Sequence, residues 1–558
     1  MAYVITQSCC SDGLCYQVCP ANAIHPSPDS LDYNNSEMLY IDPNVCTSCG
    51  ACEEVCPANA IYAEENLPDK YQEYKRINEQ HFSKDSASHH SISEGNRLNH
   101  APKIESVSEL TVAIVGSGPA GFYAAKELLE DKSLSVKIDM YEKLPTPWGL
   151  IRYGVAPDHW GTKEVAEGFR WIAKDERFRL FLNVEVGIHI SDDELSDHYD
   201  AVIYTIGASK QKKLGLKGED IAGCHSAVEF TRWYNGYPGY DNNSFDLSHR
   251  KAVIIGNGNV ALDIARLLLM PEAELKKTDM ADYAIQALGE SNVEEVIIVG
   301  RRSPIFASFT YPELAALVKE TGLNVQCEPS SLQFDDVLTN YLNAQANRQL
   351  IDSKLDLLSQ ASLDFNGNTK KQITFRFLTS PQEIIAESGK VKAISLLKNC
   401  HELNALGDLV LKTTGAVENI EAGLVIMANG FTGEKHGDLP FDNGKISNIK
   451  GRVIDFETDT FLIGAYTAGW VKRGPSGFIG SNKKCAKETV MCLKEDLLAG
   501  KLIQAENSND DILNLIKSRQ PNFLTNEAWE RLNQYEILKG KAQGRPRVKE
   551  TDVGEWWK

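Results

Sequence analysis

Two glycine fingerprints constrain this 558-residue chain more than any other feature. The first lies in LTVAIVGSGPAGFYAAKELLE, where an apolar, strand-like run meets G-x-G-x-x-G at Gly116, Gly118 and Gly121 and a helical pattern follows. The first glycine permits a tight turn, the second lets a pyrophosphate approach the backbone, and the third packs helix on strand. The helix then points its N-terminus at the diphosphate. The next apolar run, SVKIDMYEK, ends in Glu142, placed to accept from a ribose hydroxyl. The second fingerprint, RKAVIIGNGNVALDIARLLL, has Gly256, Gly258 and Ala261 in the glycine positions. The strand-like VEEVIIVGRRS after it ends in Arg301 and Arg302 instead of an acid. Guanidinium forks bind phosphate bidentately, whereas an acid would repel a 2′-phosphate. The second nucleotide is therefore expected to be NADP rather than NAD. The wide spacing to the arginines is read as an inserted helical excursion, MPEAELKKTDMADYAIQALGESN.

Two dinucleotide sites in one chain suggest a flavin plus a nicotinamide, that is, FAD and NADP. YDAVIYTIGASKQ and AGLVIMANGFTG have the character of crossovers between two such domains. The expected organisation is an FAD-binding domain split between residues 107–222 and 424–558, with an NADP-binding domain at 223–423. The fold class is α/β, with Rossmann-like domains.

A further domain precedes them. Eight of the 13 cysteines fall in the first 56 residues, which points to metal ligation rather than disulfides. CTSCGACEEVCP reads C-x2-C-x2-C-x3-C-P, while CCSDGLCYQVCP looks irregular. Overlaying Cys9 on Cys46 places Cys15 on Cys52 and Cys19 on Cys56, and CPANAI then occurs in both copies. This is a duplication at a 37-residue offset, with Asp12 in the slot of Cys49 and Cys10 out of register. Zinc is the alternative for cysteine pairs, but the Cys-Pro endings and the duplication argue against it. Residues 1–66 resemble two-cluster ferredoxins of the seven-iron kind, a small α+β domain. The resemblance implies that Cys46, Cys49 and Cys52 share a 4Fe–4S cluster with Cys19. It also implies that Cys9, Cys15 and Cys56 hold the other, with Asp12 at the vacant corner. A carboxylate is a harder and weaker ligand for such iron than thiolate. The second cluster is thus either 3Fe–4S or a 4Fe–4S with a labile, oxygen-ligated iron.

PTPWGLIRYGVAPDH (Pro145–His159) and TAGWVKRGPSGFIGSNKKCAKET (Thr467–Thr489) are more specific still. With GNGNVALD, GRRSPIFASFTYPEL and GRPRVK, they resemble the adrenodoxin-reductase-type ferredoxin–NADP reductases. With the cysteine domain in front, the whole chain resembles the mycobacterial-type fusions of ferredoxin and reductase. The resemblance implies FAD contacts at Ala120, Glu142, Leu150, Val186, Trp470, Gly477, Phe478 and Ile479. It implies NADP contacts at Asn257, Gly258, Asn259, Val260, Arg301, Arg302, Glu313 and Gly477, and it places His159 beside the flavin as the catalytic residue. Relatives commonly carry a second acid three positions after the one matched by Glu313; here that position is Ala316. A proton relay through it is therefore absent, but hydride transfer itself needs only proximity and orientation.

The implied activity is electron transfer between NADPH and ferredoxin-type, and also cytochrome-type, one-electron carriers. The rival readings are a flavoprotein like the small subunit of glutamate synthase and an iron- or oxygen-sensing binding protein. Net charge is −19, and residues 1–66 hold nine Asp or Glu and no Lys or Arg. That surface should repel nucleic acid and attract basic protein patches. VKRGPSG and GRPRVK are candidate docking charges. Residues 67–106, rich in Ser and His toward their end, read as a flexible tether. No apolar run is long enough for a membrane span, and no basic leader precedes the cysteines, so the expected compartment is the cytoplasm.

Overall fold

The duplication in the cysteine runs is a duplication of backbone geometry. In the computed structural model, which describes residues 2–82, 109–363 and 371–552 apart from Asp29, Asn35 and Ala346, the first domain is built from two matching halves. Strand Tyr3–Ile5 pairs antiparallel with Ile61–Ala63, and Ile24–His25 pairs with Tyr40–Ile41. Short helices Leu14–Val18 and Ala51–Glu54 follow the two cysteine loops. Positive φ occurs at Ser11 (54°), Gly13 (71°) and Asn22 (51°), and again at Ser48 (57°), Gly50 (81°) and Asn59 (45°). The Ala23 amide donates to Cys19 Sγ and the Ala60 amide to Cys56 Sγ, both at 3.3 Å.

The tether expectation fails for its first part. Residues 73–81 form a helix that buries Tyr74, Ile77 and Asn78. Asn78 joins the two strand pairs: its Oδ1 accepts from the amides of Ile5 (3.3 Å) and Ile41 (2.9 Å), and its Nδ2 donates to the Ile5 carbonyl at 2.9 Å. One buried face on a helix of nine residues gives too short a periodic signal to register against a polar background. Residues 83–106 of the expected tether lie outside the described residues.

The first nucleotide sheet has seven strands, in the order Asn448–Ile449, Arg452–Asp455, Thr460–Thr467, Ala201–Tyr204, Leu110–Val115, Val136–Glu142, Phe178–Leu182. The second has six parallel strands, in the order Cys224–Ser226, Leu424–Met427, Lys251–Ile255, Glu295–Val299, Gln372–Arg376, Asn324–Cys327. Leu424–Met427 therefore belongs to the second sheet, and the return crossover follows it instead of starting at 424. Continuous apolar runs mark a strand buried on both faces but do not say which sheet it joins. The two crossovers run side by side, with Lys210–Gln211 paired to Phe431–Thr432. Residues 270–292 do form a helical excursion, Glu272–Leu275 and Asp282–Gly289. An antiparallel sheet of Thr379–Glu387, Lys390–Leu403 and Leu409–Glu421 is added to the second domain.

The basic stretches proposed for docking serve other ends. In GRPRVK, Arg545 pairs with Asp282, Arg547 with Glu536, and Lys549 with Asp279. Glu536 is fully buried between Arg152 and Arg547. Burial would raise its pKa, but these two guanidiniums hold it below the usual carboxylate value. In VKRGPSG, Lys472 is buried against Glu488 and Arg473 bonds to Ser481 and Asn482. These cations lock the reductase together internally, and the cluster domain docks elsewhere.

Candidate functional site

Both nucleotide cradles have the backbone that their glycines imply. Gly116 has φ +102°, and a Cβ there would lie 2.7 Å from the Thr205 carbonyl oxygen. A Cβ on Gly121 would lie 2.3 Å from the Gly116 carbonyl oxygen, so only glycine lets helix Pro119–Leu129 sit on its strand. Gly118, by contrast, faces open space. Glu142 is pinned beside this turn, accepting from the Ser117 amide (3.0 Å), the Ser117 hydroxyl (2.8 Å) and the Leu144 amide (3.0 Å). Leu150 follows Gly149, which packs on the Gly118 backbone, and Gly469 packs on Ala120 and brings in Trp470. The Trp470 indole N–H donates to the Ser476 carbonyl at 3.1 Å and supports the loop of Gly477, Phe478 and Ile479. Val186 is buried in the apolar core with Tyr141 and Tyr204. The turns at the carboxyl ends of these strands thus form an open cradle fit for a dinucleotide.

In the second cradle a Cβ on Gly256 would come within 2.2 Å of the Ala428 carbonyl oxygen, while Gly258 has only Ser308 nearby. The Asn257 carbonyl accepts from the Phe309 amide at 3.0 Å, and Asn259 Oδ1 accepts from the Thr310 amide at 2.8 Å. These bonds tie helix Tyr311–Glu320, with Glu313 in its first turn, to the fingerprint; Val260 packs half-buried against the core. Arg301 and Arg302 are exposed just beyond the adjacent strand. The Arg302 guanidinium lies 5.1 Å over the Phe306 ring, and among the described residues neither arginine has a carboxylate partner.

His159 sits where the domains meet. Its Nε2 lies 3.0 Å from Arg266 Nη2 and 3.8 Å from Glu313 Oε2, and its Nδ1 lies 4.0 Å from Asp263 Oδ1. A guanidinium only donates, so Nε2 is the acceptor. Arg266 also binds Asp158 through two bonds (2.7 and 2.9 Å) and Asp263 at 2.8 Å. Burial raises the Glu313 pKa above the ordinary carboxylate value, partly offset by the Arg266 guanidinium. His159, Asp263 and Glu313 are close enough to bind a metal ion, but the Arg266 guanidinium already supplies positive charge to them.

Two cavities in the first domain collect the cysteines crosswise. One is lined by Cys19, Cys46, Cys49 and Cys52, the other by Cys9, Cys15, Cys56 and Asp12 together with Cys10. Burial pushes the Cys52 thiol up to about 12 and Cys56 to about 11, and raises Cys9 and Cys15 as well. Buried thiols that resist ionisation are stabilised as thiolates by a cationic metal centre, so the donor sets fit iron–sulfur clusters. Cys49 is exposed, with Glu53 and Glu54 also exposed nearby. The Asp12 cavity instead faces the reductase. The Gly480 amide donates to the Cys10 carbonyl at 2.8 Å and Lys483 Nζ to the Asp12 carbonyl at 3.2 Å.

Comparison with known proteins decides the family. Residues 110–349 match the pyridine nucleotide-disulphide oxidoreductase family and residues 39–62 the 4Fe-4S binding domain. The probable ferredoxin/ferredoxin–NADP reductase of Mycobacterium leprae is 40% identical over 563 residues, covering all of this chain and 97% of the relative. The chain belongs to the fused ferredoxin/ferredoxin–NADP reductases. NADPH-ferredoxin reductase FprA of Mycobacterium tuberculosis is 40% identical over 455 residues, 80% of this chain and 97% of that protein. The structure of that FprA in complex with NADPH superposes with TM-score 0.74 at 38% identity, covering 81% of this chain and 99% of the other. Among the described residues no helix is long and apolar enough to cross a membrane.

Sequence reasoning missed Arg266 and Asp263, though the charges spaced three apart inside the apolar helix VALDIARLLL were a usable signal. It also missed Gly480. A Cβ there would meet Ser11 O at 2.1 Å and Asp12 N at 2.4 Å, so this fused reductase needs glycine for close approach although its φ is ordinary. Gly480→Ala should cost about 1–3 kcal/mol of docking, because backbone on both sides must shift. Limited proteolysis should then cut between the domains sooner, and NADPH-driven cytochrome c reduction should fall relative to ferricyanide reduction.

Proposed function

We propose that this ferredoxin–NADP reductase exchanges electrons with one-electron carrier proteins, ferredoxin-type and cytochrome-type, through its two cysteine-lined sites in fixed order. The Asp12 site is inner, and the Cys49 site is outer. Ala120, Glu142, Leu150, Val186, Trp470 and Gly477–Ile479 would hold FAD; Asn257–Val260, Arg301, Arg302 and Glu313 would hold NADP. FAD when bound couples a two-electron donor to one-electron carriers, and the clusters hold single electrons. The chain's own residues supply position: Gly480 lets the Cys10–Asp12 loop press on the start of helix Ser481–Leu498, and Lys483 fastens it. That contact carries the reading. The inner site is either a 3Fe–4S or an Asp12-ligated 4Fe–4S cluster, and the outer a 4Fe–4S cluster.

Docking within the chain rests on burial and on neighbouring ion pairs. One apolar core runs from Ile5, Tyr74 and Ile77 into Tyr311, Leu314 and Leu317 of the second nucleotide domain. Glu37 accepts from the Tyr311 amide (2.6 Å) and pairs with Lys354 (2.6 Å), while Glu73 pairs with Lys319 (2.7 Å). The outer face, acidic and solvent-facing, suits a carrier with a basic patch. Cys49→Ser tests the order. It should lower outer-site iron and sharply reduce NADPH-driven cytochrome c reduction, and it should spare ferricyanide, a small oxidant that reaches the flavoprotein directly. Unchanged cytochrome c reduction at equal FAD content would show that carriers do not use the outer site.

A further inference from the structure

The cluster domain reaches into the reductase at one side chain. Gln7 lies two residues before the first cysteine of the Asp12 site. Its Nε2 donates to Glu313 Oε2 at 2.8 Å and lies 3.5 Å from His159 Nε2. Three domains therefore meet within one hydrogen-bonded group: Gln7 from the cluster domain, His159 from the first nucleotide domain, and Glu313 and Arg266 from the second. Gly161, in the turn after His159, reinforces the meeting point, since a Cβ there would lie 2.8 Å from Ser8 Oγ. Glu313 is the acid of this helix that lies beside His159, 3.8 Å from its Nε2. A glutamine amide is a fixed neutral donor: it stabilises an ionised carboxylate without adding a charge that would compete with Arg266.

We infer that Gln7 is a positioning residue through which the docked cluster domain fixes the Glu313 carboxylate beside His159, completing the nicotinamide side of the site. The inference rests on the reading of His159 and Glu313 as that site. The charged and titratable groups around Glu313 are His159, Asp263 and Arg266, whose guanidinium also binds Asp158, with Glu320 further along the same helix. Burial and Asp263 push its proton affinity up, while Arg266 and the Gln7 bond pull it down.

The test uses the full-length holoenzyme and the near-isosteric Gln7→Met, with Gln7→Glu as the opposite charge case. Infrared difference spectra across pH follow the protonated-carboxyl band that Glu313→Gln abolishes. The pH of Glu313 protonation should rise by about one to two units in Gln7→Met, the equivalent of one charge-assisted hydrogen bond. It should rise at least as far in Gln7→Glu, where a like charge replaces the donor. The pH profile of anaerobic flavin reduction by NADPH should move with it, at unchanged iron and FAD content. An unmoved band in both variants overturns the role of Gln7. A band that moves while the pH profile stays fixed overturns the placement of hydride transfer at His159 and Glu313, and the inference with it.

Discussion

Replacing Arg301 and Arg302 together by alanine should raise the Michaelis constant for NADPH by at least one to two decades and leave that for NADH nearly unchanged. Each lost charge-assisted contact costs roughly 1.5–3 kcal/mol, about one to two decades. The two act on one phosphate, so the double variant should fall short of the sum. The structure explains why the effect stays specific. The backbone of this turn is held without the guanidiniums: the Asn399 side-chain Nδ2 donates to the Arg301 carbonyl at 2.9 Å and the Leu378 backbone amide to the Arg302 carbonyl at 3.1 Å. The side chains are exposed and, among the described residues, free of carboxylates, so alanine removes the forks and leaves the turn. Arg302 also loses its contact with Phe306 on substitution, which makes Arg302→Ala the more costly single change. Steady-state kinetics with both nucleotides decides the matter. An equal loss for NADPH and NADH would mark the pair as structural.

Spacing carried most of what could be read before the structure. Gly116, Gly121 and Gly256 each abut a backbone carbonyl that a Cβ would strike, which is the constraint the fingerprints encode. The 37-residue offset read from the cysteines holds for the backbone as well: residues 11, 13 and 22 share positive φ with 48, 50 and 59. What stayed hidden depends on contacts between segments far apart in the chain. Gln7 and Glu313 have no local pattern to link them. Gly480 looks like any glycine before a helix until Ser11 is placed against it. Helix Glu73–His81 owes its fold to two backbone strands that Asn78 satisfies, not to its own weak periodicity. The same limit misled the reading of charge. GRPRVK looks like a docking patch, yet its cations are buried on Glu536, Asp282 and Asp279, and linear sequence does not separate a solvated Arg from an enclosed one.

Asp12→Cys should convert the inner site into an ordinary four-cysteine site. Asp12 occupies the slot that Cys49 fills in the other half, flanked by the same pair of positive-φ residues, so the new thiol starts from a backbone already shaped for a ligand. The aspartate is a poor occupant of that slot on two counts. Its carboxylate is harder than thiolate. Its pKa is raised by burial, with Lys483 pulling the other way, and Oδ1 is engaged at 3.2 Å by the Leu14 amide. Oxidised wild-type protein should therefore show the EPR signal of a 3Fe–4S centre, and the variant should lose it while its iron rises by about one per chain. Cys10 is the competing ligand, since it also lines this cavity. Yet Cys10 has no cysteine counterpart in the second run, where Thr47 stands at the matching position, and it packs in the apolar core with Ala58, Ala60 and Tyr123. Cys10→Ser should accordingly leave both the EPR signal and the iron content as they are. A signal that survives Asp12→Cys and vanishes in Cys10→Ser would shift the first run by one residue and make Cys10, not Asp12, the fourth ligand.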